Sequence, residues 1–190
     1  MASVKTTLNS TESSDLASLL SVATSLSALG SITGASGDDM NGSSFSNGLC
    51  TYIACHPGDT LIHTPSGLVR IADVLPGDTV TGLDPFGAEI PVRVERIDIK
   101  KDNTDLVVID HASGTLRATS EHPIWVDETG FTKALDVQVG HHVRVRGGGP
   151  RTITDVTVER IEQHTVYNIK LPKTTTHVYF ADGVLCHNKG

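Results

Sequence analysis

An internal repeat constrains this chain more than any other feature of its sequence. Asp73-Val74-Leu75-Pro76-Gly77-Asp78-Thr79-Val80 resembles Asp136-Val137-Gln138-Val139-Gly140-His141-His142-Val143, and Val94-Glu95-Arg96-Ile97 recurs as Val158-Glu159-Arg160-Ile161. Both pairs are offset by about 63 residues, as a duplicated unit would be. The unit is made of strands, since short runs rich in Val, Ile and Thr alternate with Gly and Pro while aromatic residues are few. The expectation is an all-β domain of two halves related by a pseudo-two-fold axis.

Turn chemistry places the strands. Thr60–His63 and Leu68–Ile71 flank Thr64-Pro65-Ser66-Gly67 and should form an early hairpin. Thr79-Val80 and a run from Ile90 to Ile99 are parted by the turn Asp84-Pro85-Phe86-Gly87. Further strands are expected at 106–109, 116–119, 124–126, 143–145, 153–162, 166–171 and 178–181, with single helical turns near 71–75 and 134–137.

Residues 1–48 read differently. Ser, Thr, Gly, Ala and Leu dominate, which predicts a flexible tail or the end of an upstream protein. One short helix fits within it, because Leu16, Leu19, Leu20, Ala23 and Leu26 share a helical face. The β domain is expected over 49–188, and 189–190 form a C-terminal flank. No stretch resembles a signal peptide or is apolar enough to span a membrane. A cytoplasmic setting is the default, because the proposed chemistry needs Cys55 reduced. A net charge of -7 argues against nucleic-acid binding, and nothing in the sequence asks for a partner beyond the chain's own flanks, so a monomer is expected.

The chemistry-bearing residues cluster at the two ends of the β domain. Cys55 opens it in Ala54-Cys55-His56-Pro57-Gly58-Asp59, and His187-Asn188 close it. A thiol on the residue that owns a peptide nitrogen can attack the preceding carbonyl, here that of Ala54, and convert the amide to a thioester. Asp59 is near enough in sequence to assist deprotonation of the thiol, and His56 is a weaker candidate. Asn188 can attack its own main-chain carbonyl through its side-chain amide, forming a succinimide and releasing the nitrogen of Lys189. His187 is placed to protonate that nitrogen.

With Thr119-Ser120-Glu121-His122 between them, these stretches resemble a Hint domain, the self-cleaving module of inteins, bacterial intein-like domains and, more distantly, hedgehog proteins. The resemblance implies a flat β horseshoe whose two halves interlace and bring Cys55 and Asn188 together. It assigns Thr119 to the Ala54 carbonyl, His122 to protonation of the departing amine, and His177 to the asparagine step. No cofactor is implied, and the substrate is the chain's own flanking polypeptide.

Two departures shape the expected outcome. Tyr167-Asn168 stands where many inteins have Tyr-Asp, and Lys189 stands where splicing requires Cys, Ser or Thr. Ordinary splicing should therefore fail, leaving cleavage before Cys55 and after Asn188 as separable events, although an amine from a released flank could capture the thioester. The span of about 134 residues from Cys55 to Asn188 leaves no room for a homing endonuclease.

Three other readings compete. Cys55-His56 and Cys186-His187 could hold zinc in an interaction module or an inhibitory site, but neighbours on a strand point to opposite faces, so both members of a pair would not readily share one ion. A cysteine protease acting in trans through Cys55 and His122 would leave His187-Asn188 unexplained. A disulfide from Cys186 to Cys55, with Cys50 as competitor, would switch processing off.

Overall fold

The computed structural model describes residues 54–188, and thirteen strands account for most of them. The expected tail and its helix, Cys50, Lys189 and Gly190 lie outside the described residues. Eleven strands join in one antiparallel sheet: β1 (His56–Pro57), β2 (Leu61–Thr64), β3 (Gly67–Arg70), β6 (Arg96–His111), β7 (Gly114–Thr119), β8 (Pro123–Val126), β9 (Gly130–Lys133), β10 (His142–Arg144), β11 (Pro150–Lys170), β12 (Val178–Ala181) and β13 (Val184–His187). β4 (Thr79–Leu83) and β5 (Glu89–Arg93) form a separate hairpin. Along the main sheet the order is β3-β2-β12-β13-β8-β10-β11-β6-β7, with β1 on β11 and β9 on β8.

The duplication is visible bond for bond around its first match. In one half the Gly77 N–H donates to Val94 O at 2.8 Å, and in the other the Gly140 N–H donates to Ile153 O at 2.9 Å. Val94 N–H returns to Asp78 O, and Ile153 N–H to His141 O, each at 2.8 Å. Gly77 and Gly140 sit at φ values of 95° and 91°, a region open to glycine without cost, so both turns need the residue the repeat supplies. The helical turns match too, as 3-10 turns at Ile71–Asp73 and Ala134–Asp136.

The second sequence match does not share this equivalence. By hydrogen bonding, Val94 corresponds to Ile153 rather than to Val158, because the first hairpin has the longer leading strand, Thr79–Leu83 against His142–Arg144. Val158–Ile161 lies mid-strand in β11 opposite β6, whereas Val94 precedes β6. The run Ile90–Ile99 is likewise two strands, broken at Val94-Glu95, where Glu95 N–H bonds Lys170 O. Conversely, the runs 153–162 and 166–171 fuse into β11, with a register shift between Ile161 and His164. Gln163 at φ 52° lies in that bulge.

Alternation decides which side chains meet. On β8, β12 and β13, the residues Ile124, Val126, Tyr179, Ala181, Val184 and Cys186 enter the main core, while Trp125, Val178, Phe180 and Leu185 enter a second cluster with Leu83. The β12–β13 turn, Asp182-Gly183, has positive φ at both residues (46° and 82°), as a two-residue hairpin requires. That turn fixes the register of Tyr179 opposite Cys186.

Candidate active site

The turn from Thr119 to Pro123, joining β7 to β8, stands between the beginning and the end of the domain. On one side Thr119 holds Cys55: its N–H donates to Cys55 O at 2.9 Å, and its Oγ1 accepts the Cys55 N–H at 2.9 Å. On the other side β8 pairs with β13, with Ile124 opposite Cys186. Two ends far apart in sequence are thus tied to one short turn. The turn itself is closed by His122 N–H on Thr119 O at 2.9 Å.

Thr119 does not bond as the resemblance implied. Its hydroxyl engages the amide nitrogen of Cys55 and, at 3.4 Å, the Cys55 carbonyl, rather than the carbonyl of Ala54. The nitrogen it holds is that of the Ala54–Cys55 peptide bond. His122 is the group beside Ala54, whose backbone works to keep its ring basic against a larger opposing effect of burial. Burial, the His56 ring and His187 together hold the His122 imidazole well below the usual histidine range, so it is neutral at pH 7.

His56 and His122 are fully buried with ring centroids 4.0 Å apart. His56 Nδ1 donates to Arg117 O at 3.0 Å, which leaves Nε2 as a bare acceptor without a hydrogen-bond partner. His122 Nε2 faces the Tyr179 hydroxyl at 3.5 Å. Burial pushes the His56 pKa down to about 4, opposed by its bond to Arg117.

Cys55 is wholly buried against Leu106 and Val166 and forms no disulfide among the described residues. Cys186 is a free, buried thiol, and burial followed by the Asp182 charge pushes it far above the ordinary cysteine range. Both sulfurs bear on the hydroxyl of Tyr179, which burial and then Cys186 and Cys55 hold well above the usual tyrosine range. Tyr179 is the residue that sequence reasoning missed. Its only signal was its place two residues after His177.

Asp59 lies elsewhere. It is exposed and ion-paired with Arg117 on the outer surface, so the structure does not bring it to the buried Cys55 thiol.

At the far end Asn188 is buried and its N–H donates to His177 O at 2.8 Å. With its side-chain amide oriented to satisfy every polar atom, Nδ2 donates to His177 O (3.0 Å) and His177 Nδ1 (3.1 Å), and Oδ1 accepts the Leu171 N–H at 3.0 Å. His177 adopts φ 60°, a left-handed conformation unusual for a side-chain-bearing residue. Its ring centroid is 5.8 Å from that of His187, which packs on Phe131 at 5.0 Å. Burial and then the neighbouring His177 push His187 down to about 4. Asn168 is buried in β11, and its Oδ1 has no hydrogen-bond partner among the described residues.

An open antiparallel sheet that ties both ends of the domain to one turn defines a Hint fold of the intein-like class. The bacterial intein-like domain from Clostridium thermocellum superposes with a TM-score of 0.66 at 26% identity, over 72% of this chain and 99% of that one. A DnaB intein from Synechocystis sp. PCC 6803 gives 0.62 at 17% identity, over 73% and 100%, and the gp41-1 intein 0.56 at 21%, over 75% and 100%. The family model of the pretoxin Hint domain matches residues 61–190, and the chain belongs to that family. Curated proteins give no match.

Proposed function

We propose that this domain cuts its own chain at two peptide bonds, Ala54–Cys55 and Asn188–Lys189. The carrying observation is that the Thr119–His122 turn holds the Cys55 amide nitrogen through Thr119 and puts His122 beside Ala54, while β8, which follows it, pairs with the strand that ends next to Asn188. A neutral His122 fits both halves of a proton transfer. It accepts the proton of the Cys55 thiol as sulfur bonds to the Ala54 carbonyl carbon, then delivers it to the Cys55 nitrogen as the C–N bond breaks. Thr119 keeps that nitrogen in register while the amide loses its planarity. Water then hydrolyses the thioester and frees residues 1–54.

At the second bond, His177 Nδ1 takes a proton from Asn188 Nδ2, which makes the amide nitrogen a better nucleophile toward its own carbonyl carbon. The proton that His177 takes up passes by way of His187, whose ring lies 5.8 Å away, to the Lys189 nitrogen as that bond breaks. The products are a C-terminal succinimide and the released flank. Lysine at 189 offers no hydroxyl or thiol to receive the acyl group, so cleavage rather than ordinary splicing is the outcome. The family's description as pretoxin fits a module whose task is to release a neighbour.

Mass spectrometry of freshly purified chain under reducing conditions tests the reading. Fragments ending at Ala54 and at Asn188 are expected, the first abolished by Cys55→Ala and the second by Asn188→Ala. A chain that keeps its full mass, or fragments unaffected by both substitutions, overturns it.

A further inference from the structure

We propose that His56, His122 and Cys186 form a buried binding site for a divalent transition-metal ion of the zinc type. Their ligand atoms all lie within 4.8 Å of one another, and all three residues are fully buried. Ligand atoms around one tetrahedral zinc stand roughly 3.5 Å apart, so small rotations of three side chains close the set. An imidazole–imidazole–thiol combination suits zinc and cobalt and excludes calcium or magnesium, which require oxygen.

One buried nitrogen points independently to a ligand. His56 has Nδ1 committed to Arg117 O, and that bond orients the ring and fixes the tautomer in which Nε2 carries a free lone pair. That lone pair has no partner among the described residues, a costly state for an atom in a closed core. Strand geometry selects the third ligand. Cys186 faces the main core, whereas its neighbour Leu185 turns to the second cluster and His187 packs on Phe131. The site therefore takes one residue from each terminal Cys-His pair and completes itself with His122. Binding replaces the Cys186 S–H bond by a sulfur–metal bond and releases the proton to solvent, so affinity rises with pH.

The full chain carrying Cys55→Ala keeps its front bond intact and removes the competing thiol at 55. Refolded under a thiol-free reductant and titrated with cobalt(II) alone, it should bind one equivalent with an intense near-ultraviolet sulfur-to-cobalt band, and zinc(II) should displace the cobalt. Adding Cys186→Ala should abolish the band, and His56→Phe should weaken binding by more than about 100-fold, beyond the usual loss for an outer-shell partner. Absence of a saturable band, or a band that survives Cys186→Ala, overturns the proposal. If Cys186→Ala fails to fold, unchanged cobalt affinity in His56→Phe does the same. A chain that never cleaves but shows the cobalt band retains the site and refutes only the function.

Discussion

Thr119 Oγ1 lies 2.9 Å from the amide nitrogen of Cys55 and accepts its proton, so the side chain holds the peptide bond to be broken by its leaving atom. Thr119→Val keeps shape and removes the acceptor, leaving a buried N–H unsatisfied at a cost of about 1–3 kcal/mol. Release of residues 1–54 should slow by about 5- to 150-fold, since about 1.4 kcal/mol is a factor of ten, while cleavage after Asn188 continues. Thr119→Ser should restore most of the front cleavage. Equal slowing of both cleavages in a fragment time course would place Thr119 in general stability instead.

Acid should unfold this domain through its buried imidazoles. Burial pushes His56 and His187 down to about 4 from 6.5, and holds His122 well below its ordinary range as well. In that window the unfolded chain binds protons that the folded one refuses, so stability rises with pH, is complete above 6.5 and is lost as pH falls toward 4. Each shift to about 4 corresponds to roughly 3 kcal/mol. Urea midpoints measured from pH 7 to pH 4 should fall steeply, and His56→Phe should flatten the slope. A slope unchanged by that substitution would count against His56 as a source.

His177 separates strain from chemistry. Its φ of 60° costs a β-carbon-bearing residue roughly 1–2 kcal/mol, a cost glycine avoids. His177→Gly should therefore be more stable than His177→Ala by about 1 kcal/mol in urea unfolding. Both should lose succinimide formation at Asn188, because both lose the nitrogen that accepts from Nδ2. Retained C-terminal cleavage in the glycine variant would remove His177 from the reaction.

Close packing behind the site gives a further test. A β-carbon on Gly82 would stand 2.7 Å from Val178 O and 2.8 Å from Val92 Cγ2. Gly82→Ala should push β12 away from the β4–β5 hairpin and destabilise the fold by about 1–3 kcal/mol. Since Val178 follows His177, cleavage after Asn188 should suffer more than cleavage before Cys55. Comparable rates at both bonds would show that the strand absorbs the shift.

The amino-acid order alone determined the strand-built class, the hairpin at Thr64–Gly67, the two helical turns and the duplicated glycine turn, because these depend on local backbone preferences and alternation. It also determined which residue types stand at the two ends, since only a thiol and a carboxamide suit the proposed steps. Their spatial relations were decided by tertiary structure. That Thr119 grips the Cys55 nitrogen, that Asp59 is spent on Arg117, and that the Tyr179 hydroxyl faces His122 all depend on pairing across residues distant in sequence. The Val94 and Val158 matches diverged for the same reason: similarity of letters says nothing about which partner strand lies opposite. The joining of His56, His122 and Cys186 belongs wholly to the folded sheet, where register between β12, β13 and β8 selects the face on which each side chain falls.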